Sequence, residues 1–111
     1  MAIAEVTVIP IGTGSTSLSA YVADMQRVLD TQSNITVQLT PMSTIIEGDI
    51  ADVLRAIHAL HESPFQAGAG RVSTSIKIDD RRDYPTSAQY KLDSVREKLS
   101  NGTSATTAKP Q

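Results

Sequence analysis

The segment from Ser43 to Glu47 places hydroxyl and carboxylate groups close together along the chain. Ser43 and Thr44 carry hydroxyls that donate and accept hydrogen bonds, while the ionised carboxylate of Glu47 only accepts them. An acidic group among hydroxyls can hold an amine-bearing or cationic ligand through charge-assisted hydrogen bonds. A second interpretation is also open, in which Glu47 ends a strand and stabilises the amino terminus of the next helix.

Two histidines, His58 and His61, are three residues apart and would be neighbours on one helix face. Together with Glu62 they could form a patch that binds a metal ion. The histidine pair alone lacks the third ligand that a zinc site needs, and histidines near the end of a helix also favour its dipole. We therefore expect a solvated helix face and no metal site.

Two further polar segments have structural as well as functional interpretations. The loop Gly12–Ser15 precedes a predicted helix, so its backbone N–H groups could bind an anion. It lacks the spacing and the lysine of the common phosphate-binding motifs, which favours an ordinary loop. The run Lys77–Asp83 mixes both charge signs and predicts either a solvated turn with weak ion pairs or part of a subunit interface.

The pattern of apolar residues predicts the elements that position these groups. Alternation of apolar with polar residues, rich in Val, Ile and Thr, predicts four strands. They cover Ala2–Ile11, Ile35–Thr40, Thr44–Glu47 and Arg71–Asp80. Apolar residues at helical spacing predict three helices, which begin near Leu18, Ile50 and Ala88. The second helix is expected to end at Ser63–Pro64, because the residue before a proline disfavours helical geometry.

Polar residues in front of these helices predict how each one begins. Ser15 or Ser17 is expected to cap the first helix and Asp49 the second, because a side-chain oxygen can accept an unpaired backbone N–H there. Thr86 and Gln89 have the spacing of a capping box in front of the third helix.

The order strand-helix-strand-strand-helix-strand-helix predicts an α+β fold, a ferredoxin-like βαββαβ sandwich with an additional C-terminal helix. Right-handed crossovers place both main helices on one face of a four-stranded antiparallel sheet. We expect one domain over residues 1–100 and a disordered tail over residues 101–111. The other sheet face carries polar residues together with Ile3 and Ile9, so face-to-face dimerisation of two sheets is expected to cover it.

Composition excludes several classes of protein. The 111 residues fit one domain, and 40% hydrophobic with 20% charged residues is typical of a soluble globular chain. The absence of cysteine excludes disulfides, thiolate catalysis and cysteine metal sites. A net charge of -2 gives no support for nucleic-acid binding. No apolar run approaches the ~20 residues of a membrane span, and no leader is visible, so we expect a cytoplasmic protein.

Four segments, in their order and spacing, resemble the small thiamine-binding protein family, the single-domain relatives of the tandem-domain YkoF protein. These segments are Val8–Gly12, Ser17–Val22, Ser43–Gly48, and Arg71–Asp79 with Arg81 and Asp83. The resemblance covers about residues 2–100. It implies a ferredoxin-like fold, assembly as a homotetramer that is a dimer of dimers, and binding of thiamine or its hydroxymethylpyrimidine moiety, with no catalytic activity and no cofactor.

The resemblance also implies which residues meet the ligand. Ser43 and Thr44 would supply hydroxyls to the aminopyrimidine, and Glu47 would accept from the exocyclic amine or face a cationic ring. Three further residues are expected nearby from their positions on adjacent strands and on the first helix: Thr7, Thr40 and Tyr21.

The alternative function is a structural or regulatory oligomeric interaction module without a small ligand, whose uncovered sheet face docks another protein. An enzyme is not expected, because the sequence offers no convergent set of titratable groups.

Overall fold

The chain folds into the predicted order of strands and helices. The computed structural model describes residues 1–15, 18–83 and 88–100, with the side chains of 88–90 outside the description. The elements are β1 (Ala2–Ile11), α1 (Ser19–Asp30), β2 (Ile35–Leu39), β3 (Thr44–Gly48), α2 (Ile50–Gln66), β4 (Arg71–Asp80) and α3 (Ala88–Ser100). All strand pairs are antiparallel and the sheet order is β2-β3-β1-β4, which confirms the predicted fold.

One face of the sheet carries the core, because strand side chains alternate between the two faces. On β1 the small residues Ala2 and Ala4 are fully buried, which lets the helices approach the sheet closely. Ile46 on β3 is also fully buried beside them. The helices complete this aliphatic core with Met25, Leu29, Val53, Ala56, Ile57 and Leu60.

The opposite face, which we call the open face, carries the alternate residues of the same strands. Glu5 of β1 lies between Ile45 of β3 and Lys77 of β4, and Ile3 lies next to both Glu47 and Asp79. Charged and apolar side chains therefore mix across this surface, as the sequence predicts.

The second helix continues through Ser63–Pro64 to Gln66, so the prediction that it ends at this proline is wrong. Pro64 lies in the last turn of α2, where its missing N–H removes only one helical hydrogen bond. Its ring is fully buried, and the N–H of Ala67 donates to the carbonyls of Ser63 and Pro64. Packing and these capping bonds offset the local preference of the proline.

The beginnings of the helices match the predictions only in part. Leu18, not Ser15, occupies the position before α1, and no side-chain cap is formed there; Ser17 lies outside the described residues. The hydroxyl of Thr13 donates to the carbonyl of Ser15 at 3.0 Å, so this loop is closed by its own hydrogen bond. Asp49 occupies the predicted position before α2, although its side chain makes no capping bond.

Two other predictions fall on undescribed parts of the chain. The capping box of Thr86 and Gln89 and the tail 101–111 lie outside the described residues or side chains. Within the described part of the chain, none of the helices combines the length and apolar character needed to cross a membrane.

Candidate functional site

A cavity of about 160 Å³ opens between β1, α1 and the hairpin that joins β2 to β3. Its inner wall includes Val6 and Leu60, each 2% exposed, so the base of the cavity is part of the core. Its rim includes Val22, Leu39 and Met42, whose side chains are 40%, 56% and 84% exposed. An apolar cavity with an exposed apolar rim suits a flat organic ligand.

The hairpin that forms one wall is held by Thr40. Its hydroxyl donates to the carbonyl of Ser43 at 2.8 Å and accepts from the N–H of Ser43 at 3.0 Å and of Met42 at 3.3 Å. A hydroxyl has one donor and two acceptor positions, so the turn itself engages the whole of this group. Thr40 lines the cavity, but its hydroxyl serves the hairpin.

Thr7 and Ser43 also line the cavity, and their hydroxyls bond to other groups of the protein. The hydroxyl of Thr7 donates to the carbonyl of Met42 at 3.4 Å, and that of Ser43 donates to the Glu5 carboxylate at 3.3 Å. Both bonds join the hairpin to β1. These two residues therefore shape the cavity by fixing the position of the hairpin.

Thr44 is the predicted residue whose side chain belongs to the cavity side of the sheet. Its Cα lies opposite Val6 in the β1–β3 register, and cross-strand partners share a face. Thr44 lines the cavity at the start of β3. Its hydroxyl is thus placed to donate to or accept from a ligand in the cavity.

Gln26 adds a polar group that the sequence reasoning missed. It lines the cavity from α1, and its Oε1 is buried without a hydrogen-bond partner among the described residues. Its Nε2 donates to the Asp30 carboxylate at 3.4 Å, one helical turn further on. The sequence contains a signal for this residue in its spacing. Gln26 follows Val22 by four residues and precedes Leu29 by three, which places it among the apolar residues of one helix face.

The remaining two predicted residues lie away from the cavity. Glu47 is paired with Ile3 and Thr36 in the sheet register, which places it on the open face. Tyr21 is half-buried on α1 and packs against the core, outside the cavity lining. The structure therefore brings together four of the six predicted residues: Thr7, Thr40, Ser43 and Thr44.

The two histidines are engaged separately. His61 Nδ1 lies 2.7 Å from the Thr74 hydroxyl, and its ring packs edge-on against Phe65 with centroids 5.5 Å apart. His58 lies 3.6 Å from the Glu62 carboxylate. Among the described residues, no group of three or more His, Cys, Asp or Glu side chains is arranged to hold a metal ion.

The open face has a shallower depression of a different kind. It is lined by Ile3, Glu5, Lys77, Asp79 and Lys91, so charged side chains dominate it. Lys91 from α3 forms an ion pair with Asp79. These opposite charges neutralise one another locally, which leaves little net field to attract a charged ligand.

The charged turn after β4 forms the expected local ion pairs. Arg81 pairs with Asp83, and Arg82 donates to the Asp80 carboxylate through Nε at 3.0 Å. The hydrogen bond from Arg82 holds the pKa of the Asp80 carboxyl below its ordinary value of 3.8.

Comparison with known proteins identifies the family. The model of the family described as "Thiamine-binding protein" matches residues 4–96. The UPF0045 protein YqgV of Bacillus subtilis is 53% identical over 102 residues, which covers 89% of this chain and 98% of the relative. The UPF0045 protein of Staphylococcus xylosus is 46% identical over 105 residues, 92% of this chain and 98% of the relative.

Solved structures share the fold. Protein MJ1052 of Methanocaldococcus jannaschii superposes with a TM-score of 0.75 at 34% identity, over 86% of this chain and 96% of that one. A Thermotoga maritima structure, whose name proposes a role in thiamine biosynthesis or salvage, has a TM-score of 0.70. This structure is 17% identical to the chain, and the superposition covers 86% of this chain and 98% of the other. At that identity the likeness shows the fold alone. The family match and these relatives together establish that the chain belongs to the thiamine-binding protein family, which includes the UPF0045 proteins.

Proposed function

We propose that this protein binds thiamine, or its hydroxymethylpyrimidine moiety, in the cavity between α1 and the β2–β3 hairpin, without catalysing a reaction. The observation that carries the proposal is the cavity itself: apolar walls with a few polar groups, in a chain of the thiamine-binding family. Family membership motivates the choice of ligand, and the cavity supplies a place for it.

The size of the cavity favours a single ring. Its volume of about 160 Å³ is below the roughly 300–1,000 Å³ of sites that enclose drug-sized ligands. A pyrimidine ring therefore fits inside better than a complete two-ring molecule. In this arrangement the pyrimidine enters between the apolar walls and the thiazolium ring stays at the rim, near Leu39 and Met42.

The electrostatics of the cavity agree with a neutral ring. None of the described residues that line it carries an ionisable side chain. A neutral aminopyrimidine loses little solvation in such surroundings, whereas a phosphate group would be buried without a cation to pair with it. Thr44 supplies a hydroxyl that can bond to a ring nitrogen. Glu47 lies on the other sheet face, so it takes no part in this site within one subunit.

The same lining supports a binding role without catalysis. General acid–base chemistry needs a titratable side chain within hydrogen-bond reach of the reacting atoms. The described lining offers hydroxyl, amide and thioether groups, and these do not titrate near neutral pH. We accordingly propose no enzymatic step and no cofactor.

Isothermal titration calorimetry with thiamine and with free hydroxymethylpyrimidine tests the proposal. We expect saturable binding of both, and Thr44→Val should weaken it because the hydroxyl is lost while the volume is nearly kept. Thr36→Val is the matched control, since Thr36 lies on the open face beside Glu47. An absence of binding at millimolar ligand by the folded protein would overturn the proposal.

We further propose that the protein assembles as a homotetramer, a dimer of dimers in which open faces pack together. The exposure of Ile9, which is 45%, and the mixed character of that face support this arrangement. Multi-angle light scattering should then give four times the mass of one chain. A monomer would instead favour the second candidate function, an interaction module whose open face docks a different protein.

A further inference from the structure

We infer that the free edge of β4 is an interface between two copies of this chain, which join edge to edge so that four strands from each copy form one antiparallel sheet. The proposed homotetramer, a dimer of dimers, needs two different interfaces, and the packing of open faces supplies only one of them. The inference rests on the proposed function in this respect alone, since β4 pairing is the second interface of that assembly.

The two edges of the sheet differ in length. β2 ends the sheet on one side with five residues, and β4 ends it on the other side with 10. β4 pairs with β1 along its whole length, and no other backbone group of the described residues bonds to it. Its outer edge therefore presents unpaired N–H and C=O groups. Long exposed edges of this kind are templates for pairing with another chain.

The helix-facing side of β4 is incompletely covered. Ile76 lies opposite Val6 of the core, yet its own side chain is 48% exposed. Ile78 lies opposite Ala4, which is fully buried, and is itself 39% exposed. Isoleucine is among the residues most often buried in folded proteins. A strand beyond β4 would cover both isoleucines from the side.

A two-fold axis determines how two copies of β4 pair. With the axis normal to the sheet at Ser75, the two strands run antiparallel and residues of the same face lie opposite one another. Ser75 then meets its own copy. On the helix-facing side, Val72 lies opposite Ile78 of the partner subunit. Thr74 lies opposite Ile76 of the partner subunit, so both exposed isoleucines gain a cross-strand neighbour.

Charge selects this register over its neighbours. Arg71 and Asp79 lie near opposite ends of β4 on the open face, so an axis at Ser75 places Arg71 opposite Asp79 of the partner subunit, twice. Arg71 is exposed and forms no ion pair within the described part of the chain. A shift by two residues in either direction would instead set Arg71 against Lys77 or Arg81. Like charges directly opposite one another destabilise a strand pair.

The Asp79 carboxylate is able to bind a second cation. Its side chain is 58% exposed, and Lys91 of the same chain reaches it through Oδ2. An ionised carboxylate has two oxygens and about four acceptor positions. Arg71 of the partner subunit therefore has Oδ1 as an acceptor while Lys91 keeps its own bond.

The β4 interface is compatible with open-face packing. A two-fold axis normal to the sheet leaves the helices of both copies on one side and both open faces on the other. Two such dimers can then pack open face to open face, which gives the proposed dimer of dimers. None of the β4 residues lines the cavity, so the pairing leaves the proposed ligand site unchanged.

The first experiment uses the absence of cysteine from the chain, because one introduced thiol then reports on the register. Ser75→Cys places two thiols at the axis, within the reach of a disulfide, so mild oxidation of the full chain should convert most of this variant into covalent dimers. Ser73→Cys is the matched control. Ser73 is exposed on the same face, but its two copies lie four strand positions apart, so this variant should remain single chains on denaturing electrophoresis.

Open-face packing alone does not produce the Ser75→Cys disulfide. Packed sheets lie about 10 Å apart, whereas the two Cα atoms of a disulfide are at most about 7 Å apart. A covalent dimer that forms with Ser75→Cys and not with Ser73→Cys is therefore specific for edge-to-edge pairing.

A charge exchange tests the pairing without a covalent bond. Arg71→Asp and Asp79→Arg each set like charges against one another in both symmetric pairs, so each variant should dissociate at β4 at least about tenfold more readily in sedimentation experiments. An equal mixture of the two variants restores opposite charges in both pairs of a heterodimer, and assembly should return. Circular dichroism melting curves establish that each variant is folded.

The outcomes separate this inference from the proposed function. Specific cross-linking of Ser75→Cys, with assembly that returns on mixing the charge variants, supports β4 pairing. Equal cross-linking of both cysteine variants, none in either, or a mixture that stays dissociated overturns it. A tetramer without the specific cross-link leaves the proposed tetramer standing through other contacts. A cross-linked species of only two chains supports β4 pairing and overturns the open-face tetramer, and thiamine titration tests the ligand separately.

Discussion

The two faces of the sheet differ in how they use polar groups. On the helix-facing side the cavity is lined by apolar residues and uncharged polar groups, one of which, Gln26 Oε1, has no partner among the described residues. On the open face, charges such as Lys91 and Asp79 pair with one another. In our proposal the first surface meets the ligand through the Thr44 hydroxyl, whereas the second packs against another subunit.

The pleat of β3 produces this division. Thr44 and Glu47 are three positions apart, an odd number, so they project from opposite faces. A segment that appears in the sequence as one polar cluster is therefore divided between the cavity and the open face. Spacing along a strand decides which polar groups can act together.

The largest expected difference between the faces concerns stability. Ile46→Ala removes a fully buried side chain from the helix-facing core and should cost about 2–5 kcal/mol. Its neighbour Ile45 is half-buried on the open face of a single subunit, so Ile45→Ala should cost clearly less in protein dilute enough to be monomeric. Urea denaturation of the two variants measures this contrast. At concentrations that favour the proposed tetramer, an additional loss for Ile45→Ala that disappears on dilution would show that the open face is buried by another subunit.

A second contrast separates a hydroxyl that holds the hairpin from one that meets the ligand. Thr40→Val removes the acceptor for two backbone N–H groups and should destabilise the protein by about 1–3 kcal/mol, with weaker thiamine binding as a consequence. Thr40→Ser keeps the hydroxyl and serves as the control. A Thr40→Val variant of unchanged stability that had lost binding would instead indicate direct contact with the ligand.

The third contrast tests the division of β3 itself. Thr44→Val should weaken thiamine binding about three- to tenfold, the equivalent of one neutral hydrogen bond. Glu47→Gln should leave binding unchanged, since Glu47 faces away from the cavity. Calorimetric titration of both variants decides between the faces. Weaker binding by Glu47→Gln alone would place the ligand on the open face or between subunits.

The fold could be predicted because its signals are local and periodic. The alternation along β1 runs through several residue pairs, and the helical spacing of α2 continues for more than one turn. A single exception therefore hides neither pattern. The continuation of α2 through Pro64 could not be predicted, since burial of the proline ring and the bonds from Ala67 decide it. Both depend on contacts that form only in the folded chain.

The candidate site was predictable only at the level of the hairpin. Ser43 and Thr44 lie at the cavity, but the engagement of the Thr40 hydroxyl by its own turn depends on backbone geometry that composition does not reveal. Gln26 lies within an apolar helical stripe, and a polar residue in such a stripe indicates a polar group at the boundary of the core. Its unpaired oxygen becomes visible only when α1 and the sheet are placed together.

The smallest expected effect concerns the charged turn at the edge of the sheet, remote from the cavity. Arg82 lowers the pKa of the Asp80 carboxyl in the folded state below the ordinary 3.8. A depressed carboxyl pKa stabilises the folded protein at pH values above the unfolded pKa, and this contribution is lost as the pH falls through the folded value. Asp80→Asn should therefore lower the melting temperature slightly at neutral pH and make no difference in strong acid. Asp80 pairs with Ala2 in the sheet, four strand positions from Val6 at the cavity, and it does not line the cavity, so thiamine affinity should stay unchanged in the same variant. A loss of affinity that followed the ionisation of Asp80 would show instead that this end of the sheet communicates with the cavity.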